Sequence, residues 1–310
     1  MPKVSIILPT YQRIHFLPRA IESVRAQTFP EWELLIVDNG STDGTEALVQ
    51  QFQERDGRIR SLKEERKGAS HARNSGLQEA RGEFIAFLDD DDEWLPEKLS
   101  RQIHFFESHA DIELLYTQSY MKDARGILIG QKPSGKPALS FMELLEGDSI
   151  PLLTVLLRRR CLEKVGGFDA TLKTAQDYDL WLRIAKEFPI GFLPEPLAIY
   201  HRHGANMSTQ PLRRYQATIA IFNKLFKGGD DPSHREKIGS RLILLHYLLA
   251  REYLFRNKLS EARDQLKSMR NLMQRHDVPG EGVLFLKSLF LSMPLVGGTV
   301  AKYVLSRRAS

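Results

Sequence analysis

Short apolar runs alternate with segments of helical periodicity along the first hundred residues of the chain. Runs with few polar interruptions are typical of strands that are buried on both faces of a sheet. They predict strands at residues 4–8, 34–37, 58–62 (the weakest pattern) and 84–88. Helical patterns fill the intervals, with a helix at residues 16–26, a capping box at residues 43–46, a helix at residues 69–80 and Pro96 in the first turn of a further helix. This alternation predicts βαβ units and a mostly parallel α/β sheet with helices on both faces.

The pattern changes after the first hundred residues. Between about residues 112 and 200 it is mixed, with short predicted strands at residues 154–157 and 197–200 and a helix at residues 177–186. Beyond Pro211 helical spacing dominates. We therefore predict an α/β domain over residues 1–210, divided near residue 110, and an α-helical C-terminal region over residues 211–310.

Five consecutive carboxylates, Asp89 to Glu93, directly follow the predicted strand at residues 84–88. Ligands of a parallel sheet bind beyond the carboxyl ends of its strands, which is where this acidic run lies. Oxygen ligands without a His or Cys nearby in sequence favour Mg²⁺ or Mn²⁺ over zinc. An isolated acidic run is more often a solvated turn, but the position at a strand end favours a metal site.

Asp177 lies on the same predicted helical face as Leu180, Trp181 and Ile184, at the inner edge of the first turn. A carboxylate there can be a general base or a simple helix cap, and periodicity alone favours the cap. Because a helix amino terminus lowers the pKa of a carboxylate, we expect Asp177 to be ionised.

Charge is divided unevenly within the overall net charge of +5. Residues 1–211 carry a balance of −5, whereas residues 212–310 carry +10. The uncharged stretch between Lys287 and Lys302 is 14 residues long, which is too short to span a bilayer. The basic, apolar tail predicts contact with an anionic membrane surface, and a helical cap packed on the first domain or on a partner subunit is the alternative.

Cysteine usage and the amino-terminal pattern bear on location. Cys161 is the single cysteine, so the chain has no internal disulfide, and the first apolar run is too short for a signal peptide. We expect a cytoplasmic protein. The basic, apolar tail favours peripheral attachment of that protein to the inner face of the cell membrane.

Six segments in order resemble the inverting glycosyltransferases of family 2, which have the GT-A fold, a Rossmann-like α/β architecture. The segments are VSIILPTYQR, VDNGSTDGT, KGASHARNSGL, FIAFLDDDDEW, GGFDATLKTAQDYDLWLRI and YHRHGANMS. The resemblance runs from residue 3 to about residue 208. It implies a nucleotide-binding part over about residues 1–110 and an acceptor part over about residues 111–210.

The resemblance implies an activity and a set of partners. The expected reaction is a metal-dependent transfer of a sugar, with inversion, from a nucleotide-diphosphate sugar (a UDP-sugar is favoured) to a hydroxyl of a glycan or lipid-linked acceptor. The expected setting is cell-surface polysaccharide synthesis, and Mn²⁺ or Mg²⁺ is the expected cofactor.

The resemblance also implies residue roles. Asp177 is the expected catalytic base, and Asp91 is the direct metal ligand, with Asp89 and His203 beside it. Gln176 and Trp181 lie on the acceptor side, and Gln176 stands where the family usually has a glutamate, which removes a charge beside the base. The expected nucleotide-sugar contacts are Pro9, Thr10, Tyr11, Arg13, Asp38, Arg73, Asp89 and Asp90.

Two other classes of protein have weaker support. A sugar-phosphate nucleotidyltransferase would carry a glycine-rich loop with Arg and Lys after the first strand, where this chain has PTYQR. A scaffold that binds an anionic polymer would rely on the basic tail. The acidic front half, and basic residues without clustered aromatics, argue against a nucleic-acid partner.

Overall fold

Nine strands form one sheet in the computed structural model, which describes residues 1–132, 139–204, 211–228 and 231–275. The strands are β1 (Val4–Thr10), β2 (Trp32–Asp38), β3 (Ile59–Lys63), β4 (Phe84–Phe87), β5 (Glu93–Trp94), β6 (Leu114–Lys122), β7 (Leu128–Lys132), β8 (Leu156–Arg158) and β9 (Ile190–His201). Their order is β3-β2-β1-β4-β8-β6-β9-β5, and β7 pairs with β6.

Most strands of this sheet run in one direction. Strand β1 pairs in parallel with β2 and β4, and β2 pairs in parallel with β3. Strand β8 lies antiparallel to both β4 and β6, and β9 is parallel to β6. Six of the nine described strands therefore share a direction, which confirms the predicted α/β class. Their carboxyl ends meet at one edge of the sheet.

The central strands form because consecutive apolar residues are covered from both sides. Ile6, Ile7 and Leu8 of β1 have no exposed surface, although neighbouring side chains of a strand point to opposite faces. On one side, the helix that contains Gly76 lies very close to β1, since a Cβ atom at Gly76 would be 2.6 Å from Cγ2 of Ile7. The absence of a side chain at Gly76 permits this approach.

The described helices occupy the connections and the C-terminal region. They are α1 (Leu17–Arg25), α2 (Thr45–Arg55), α3 (Ala69–Glu79), α4 (Lys98–Ser108), α5 (Phe141–Leu144), α6 (Arg159–Val165), α7 (Gln176–Glu187), α8 (Pro211–Lys227), α9 (Pro232–Phe255) and α10 (Leu259–Arg275). None of the helices in the described ranges combines the length and the hydropathy that crossing a bilayer requires.

Two local predictions were wrong. Helix α2 starts at Thr45 without a capping box, because Gly44 adopts the N-cap position and Asp43 accepts hydrogen bonds from Thr45 instead. Glu46 forms an ion pair with Lys63. Thr154, which was expected to begin a strand, ends a short 3₁₀ turn (Leu152–Thr154) that precedes β8.

Strand β9 is much longer than the predicted strand at residues 197–200. Its first half contains Pro194 and Pro196, which cannot donate backbone hydrogen bonds and so conceal the strand in the sequence. The pairing of β6 with β9 shifts register on both sides of Gln118, which lies opposite Pro196.

Internal contacts divide the chain into two units, residues 1–217 and residues 218–310. In the second unit, α9 and α10 share an apolar cluster formed by Ile243, Tyr247 and Met269. The predicted boundary at residue 210 and the roles assigned to the parts stay predictions. The prediction of membrane contact depended on the end of the tail, with its uncharged stretch between Lys287 and Lys302. This part of the chain lies outside the described residues.

A lysine is buried in the core of the first unit. The side chain of Lys98 has 0% exposure, its Nζ donates to Oε1 of Gln102 at 2.6 Å, and it lies 4.2 Å from the ring centroid of Trp94. Gln102 in turn donates to the backbone oxygen of Thr154 at 2.9 Å. Burial lowers the pKa of Lys98 well below its usual range, because the charged form loses its hydration.

Lys98 should give the protein a pH-dependent stability. The unfolded chain keeps this lysine protonated up to about pH 10, whereas the folded chain releases the proton at lower pH, so stability rises with pH between the two pKa values. The contribution reaches about 1.4 kcal/mol per pH unit. Lys98→Met should remove this slope in urea unfolding between pH 7 and pH 9. Lys227→Met, at an exposed position of α8, should keep it, and equal slopes in the two variants would contradict the assignment.

Candidate active site

The carboxyl ends of β1, β2 and β4 bring several of the predicted nucleotide-binding residues to one edge of the sheet. Thr10 ends β1 and lies opposite Asp38, which ends β2. The hydroxyl of Thr10 donates to Oδ2 of Asp90, beyond β4, at 2.8 Å. Asp38 accepts a hydrogen bond from the backbone N–H of Ser41 at 3.0 Å, which closes the turn after β2.

Three carboxylates converge beyond β4. The chain turns back after the strand, with the backbone N–H of Asp92 donating to the oxygen of Asp89 at 3.1 Å. As a result, one carboxylate oxygen each from Asp89, Asp91 and Asp92 lies within 4.8 Å of the others. We call these three residues the acidic triad.

Basic side chains from three other segments surround the acidic triad. Arg13, in the loop after β1, donates to Oδ2 of Asp91 at 2.5 Å and to Asp90 at 3.1 Å. Arg73 of α3 donates to Oδ1 of Asp89 at 2.6 Å. Nε2 of His203, just beyond β9, lies 3.0 Å from the same oxygen of Asp91 that Arg13 contacts.

The basic side chains do not offset the whole negative charge. Burial raises the pKa of Asp90 to about 7, although Arg13 and the hydroxyl of Thr10 oppose the shift. Burial, and then the charges of Asp91 and Asp89, raise the pKa of Asp92 well above its usual range. Asp92 is only 2% exposed, so water cannot stabilise its charge.

A hard divalent cation fits this arrangement. The acidic triad offers three carboxylate oxygens at short mutual distance, and burial together with the charges of Asp91 and Asp89 raises the pKa of Asp92. Oxygen donors of this kind suit Mg²⁺ or Mn²⁺. Asp89 and Asp91 were expected at such a site, whereas Asp92 belonged to the acidic run without an assigned role.

Asp177 lies in the first turn of α7, next to the same charged groups. Its Oδ1 accepts a hydrogen bond from the backbone N–H of Tyr178 at 2.9 Å. The surrounding protein desolvates the carboxylate and raises its pKa, while the charge of Arg73 opposes the shift and that of Asp89 adds to it. The helix amino terminus was expected to lower the pKa of Asp177, but desolvation outweighs that effect and the shift has the opposite direction.

The two residues predicted on the acceptor side are turned toward backbone carbonyls. Nε2 of Gln176 donates to the oxygen of Leu172 at 3.1 Å. Nε1 of Trp181, whose side chain is fully buried, donates to the oxygen of Ile150 at 3.2 Å. Their roles toward an acceptor stay predictions, and Trp181 supports the segment before β8.

A polar and aromatic group formed by Tyr11, Lys67 and Asn39 lies beside the end of β2. Tyr11 is half-exposed, and Nζ of Lys67 lies 4.4 Å from its ring centroid. Lys67 also donates to the backbone oxygen of Asn39 at 2.8 Å. The side chain of Asn39 bonds the backbone of residues 64, 66 and 68, which fixes this segment beside the end of β2.

Comparison with known proteins identifies the family. The model of "Glycosyl transferase family 2" matches residues 5–143. TuaG of Bacillus subtilis (strain 168), whose name assigns it to teichuronic acid biosynthesis as a glycosyltransferase, is 31% identical over 227 residues, covering 72% of this chain and 88% of TuaG. The chain belongs to glycosyltransferase family 2. The predicted enzyme class, a hexosyltransferase-type glycosyltransferase, is confirmed, and this replaces the nucleotidyltransferase and scaffold alternatives.

A second relative of this family 2 glycosyltransferase is WfgD of Escherichia coli. It is named as a UDP-Glc:alpha-D-GlcNAc-diphosphoundecaprenol beta-1,3-glucosyltransferase, and it is 38% identical over 185 residues, covering 59% of this chain and 70% of WfgD.

Solved structures confirm the predicted GT-A fold. S. aureus TarS 1–349 in complex with UDP-GlcNAc has a TM-score of 0.70 at 22% identity, covering 90% of this chain and 82% of that chain. The mannosyltransferase PcManGT from Pyrobaculum calidifontis, in complex with GDP-Man and Mn²⁺, has a TM-score of 0.61 at 18% identity. The match covers 95% of this chain and 81% of PcManGT.

Sequence reasoning missed three residues of this candidate site. Asp92 and Lys67 lie inside the quoted motifs, but pattern alone does not distinguish them from their neighbours. Arg19 of α1, which no motif marks, donates to the backbone oxygen of Asp91 at 2.7 Å.

Replacing one acidic triad residue should have opposite effects with and without metal. Asp92→Asn should raise the melting temperature of the metal-free protein at pH 8, because it removes a repelled charge and keeps an acceptor for the backbone N–H of His201. Mn²⁺ should stabilise the wild-type protein, by about 2.7 kcal/mol at 100 times its Kd, and should no longer stabilise this variant.

Thermal-shift measurements across a manganese titration test this prediction. Asp123→Asn, in the exposed turn before β7, is the matched control and should keep the full response to Mn²⁺. An equal Mn²⁺ response in Asp92→Asn and the wild-type protein would exclude Asp92 as a ligand.

Proposed function

We propose that this enzyme transfers a hexose from a UDP-sugar to a hydroxyl of a glycan or lipid-linked acceptor, with inversion and with a divalent cation. The observation that carries the proposal is the convergence of the acidic triad, Arg73 and Asp177 at the carboxyl edge of the sheet. The names of TuaG, WfgD and TarS support a UDP-sugar donor and cell-surface polysaccharide synthesis. A lipid-linked acceptor favours a cytoplasmic enzyme at the inner face of the membrane.

The nucleoside half of the donor fits the ends of β1 and β2. Pro9, Thr10 and Tyr11 form the end of β1 and the start of the following loop, and Asp38 ends the neighbouring strand. Asp38 offers acceptor oxygens for the N–H groups of a base. Tyr11, supported by Lys67, offers an aromatic face for stacking.

The diphosphate fits the basic groups around the acidic triad. Arg13 and Arg73 each bond a carboxylate there, so both guanidinium groups are already aimed at this point of the sheet edge. Asp90 holds Arg13 and Thr10 together from a buried position and thereby orders the loop after β1. Arginine suits phosphate because its planar donors match two oxygens at once.

Asp89, Asp91 and Asp92 would hold the cation, and Nε2 of His203 contacts Oδ2 of Asp91. When bound, a divalent cation supplies positive charge that stabilises the departing diphosphate. Arg13 and Arg73 act in the same direction, since both can hydrogen-bond to phosphate oxygens as negative charge develops.

Asp177 is the proposed general base. Desolvation raises its pKa and makes it a stronger base than an ordinary carboxylate, while Arg73 opposes that shift and favours the ionised form. Asp177 takes the proton of the acceptor hydroxyl as the oxygen bonds to the anomeric carbon. The bond from that carbon to the diphosphate breaks on the opposite face, so the configuration inverts.

Asp177→Asn tests the proposed base. Removal of the base should lower the rate of sugar transfer by about 10²–10⁴-fold, while binding of the UDP-sugar with Mn²⁺ should be retained. Transfer is measured with a radiolabelled UDP-hexose, and donor binding is measured by calorimetry. Glu187→Gln, at an exposed position on the far end of the same helix, is the matched control and should keep full activity.

Two results would contradict different parts of the proposal. Turnover of Asp177→Asn close to that of the wild-type protein would reject the base. Failure of the wild-type protein to bind any UDP-sugar in the presence of Mn²⁺ would reject the donor class.

A further inference from the structure

A hairpin with an apolar tip extends from the sheet. Strands β6 and β7 are joined by a tight turn in which the carboxylate of Asp123 accepts hydrogen bonds from the backbone N–H groups of Arg125 and Ile127. Within the described residues, β7 pairs with β6 alone. We call residues 122–132 the β6–β7 hairpin.

Three consecutive aliphatic side chains are exposed on this hairpin. Ile127 is 51% exposed, Leu128 is 56% exposed and Ile129 is 43% exposed. The other large apolar residues that are exposed in the described chain occur singly along the sequence. Isolated exposed residues are common on protein surfaces, whereas a contiguous apolar group marks an interaction site.

The three exposed side chains lie where the pairing of the hairpin is irregular. Strand β7 pairs with β6 at Leu128 and again at Gly130, with a register shift between them, so Ile129 has no partner on β6. Because a bulge interrupts the regular alternation of side chains, the three side chains do not form one flat strand face for a protein partner. A lipid interface surrounds an inserted tip and covers all three side chains wherever they point.

The charge of the surrounding sequence selects an anionic lipid surface. Between residues 121 and 136 the chain carries Lys122, Arg125, Lys132 and Lys136, and Asp123 is the one acidic residue. The carboxylate of Asp123 is already engaged by the turn and by an ion pair with Arg125 at 3.0 Å. Basic residues next to an apolar tip favour the headgroup region of an anionic leaflet.

The hairpin leaves the sheet at the same edge as the acidic triad. Lys122 of β6 lies opposite His201 of β9, and its backbone oxygen accepts a hydrogen bond from Arg202 at 2.8 Å. The ring of His201 contacts Glu93, and His203 contacts Asp91. A surface that binds the hairpin is therefore held on the side of the molecule where the candidate active site opens.

We propose that the β6–β7 hairpin is a membrane-binding element that inserts Ile127, Leu128 and Ile129 into the headgroup interface of an anionic bilayer. The hairpin is a different segment from the basic C-terminal tail, and the inference does not depend on the sugar donor or on Asp177. It places the carboxyl edge of the sheet against a lipid surface.

A fluorescent label at position 128 tests the location of membrane contact directly. Burial raises the pKa of the native Cys161 thiol to about 12, so a thiol reagent at neutral pH labels an introduced cysteine selectively. In Leu128→Cys, an environment-sensitive label should shift its emission to the blue when vesicles containing phosphatidylglycerol are added. In Phe255→Cys, at an even more exposed apolar position of α9 (68% against 56% for Leu128), the label should not respond.

Vesicle sedimentation gives the second measurement. Replacement of Ile127, Leu128 and Ile129 by threonine, which keeps strand propensity, should lower partition onto anionic vesicles by about tenfold or more. Phe255→Gln combined with Leu259→Gln should leave partition unchanged. Binding of UDP-sugar and the circular dichroism spectrum should be the same in all three proteins, which separates loss of membrane contact from misfolding.

Three outcomes would overturn the inference. The first is vesicle binding without an emission shift at position 128, which would assign the contact to another segment such as the tail. The second is equal partition onto neutral phosphatidylcholine vesicles. The third is a concentration-dependent dimer in sedimentation equilibrium that disappears in the threonine variant, with no binding to vesicles, which would assign the hairpin to a second copy of the chain.

Discussion

Repulsion among the carboxylates that follow β4 is the constraint on which the site depends. Four aspartates in a row follow a buried strand, and three of them each place one oxygen within 4.8 Å of the others. Three basic side chains from separate elements bond to this group, yet the pKa of Asp92 remains raised. Burying charge without a full set of partners destabilises the fold, so the arrangement favours a ligand that brings positive charge.

The shared direction of the strands brings other side chains next to these carboxylates. Because β1, β2, β4, β6 and β9 share one direction, the loops that follow them lie at one edge of the sheet. Asp38 ends β2, Arg13 and His203 lie in the segments that follow β1 and β9, and the three residues are far apart in sequence. Helix α7 adds Asp177 from outside the sheet, and Arg73 links the two parts because it bonds Asp89 and also acts on the charge of Asp177.

Features with a strong local cause were predicted from the sequence. The strands at β1, β2 and β4 have continuous apolar patterns, and the acidic run at the end of a strand pattern was enough to indicate a candidate metal site. Features that depend on tertiary context were missed. Lysine usually lies at the surface, so nothing in the sequence places Lys98 in the core, and prolines concealed half of β9.

The electrostatics of the site were also beyond sequence reasoning. A helix amino terminus suggested a lowered pKa for Asp177, but desolvation depends on how the whole domain packs and dominates there. The exposed aliphatic residues of β7 likewise follow no burial pattern, because strand patterns assume that apolar residues face a core. Both features require the positions of elements distant in sequence.

The central claim is that the acidic triad binds the cation that accompanies the nucleotide diphosphate. The most direct measurement is anomalous diffraction at the manganese absorption edge from a crystal grown with Mn²⁺ and UDP. A peak bounded by the carboxylates of Asp89, Asp91 and Asp92 and by the UDP phosphates is the predicted result. A manganese peak elsewhere, with the three carboxylates in contact with solvent alone, would contradict it.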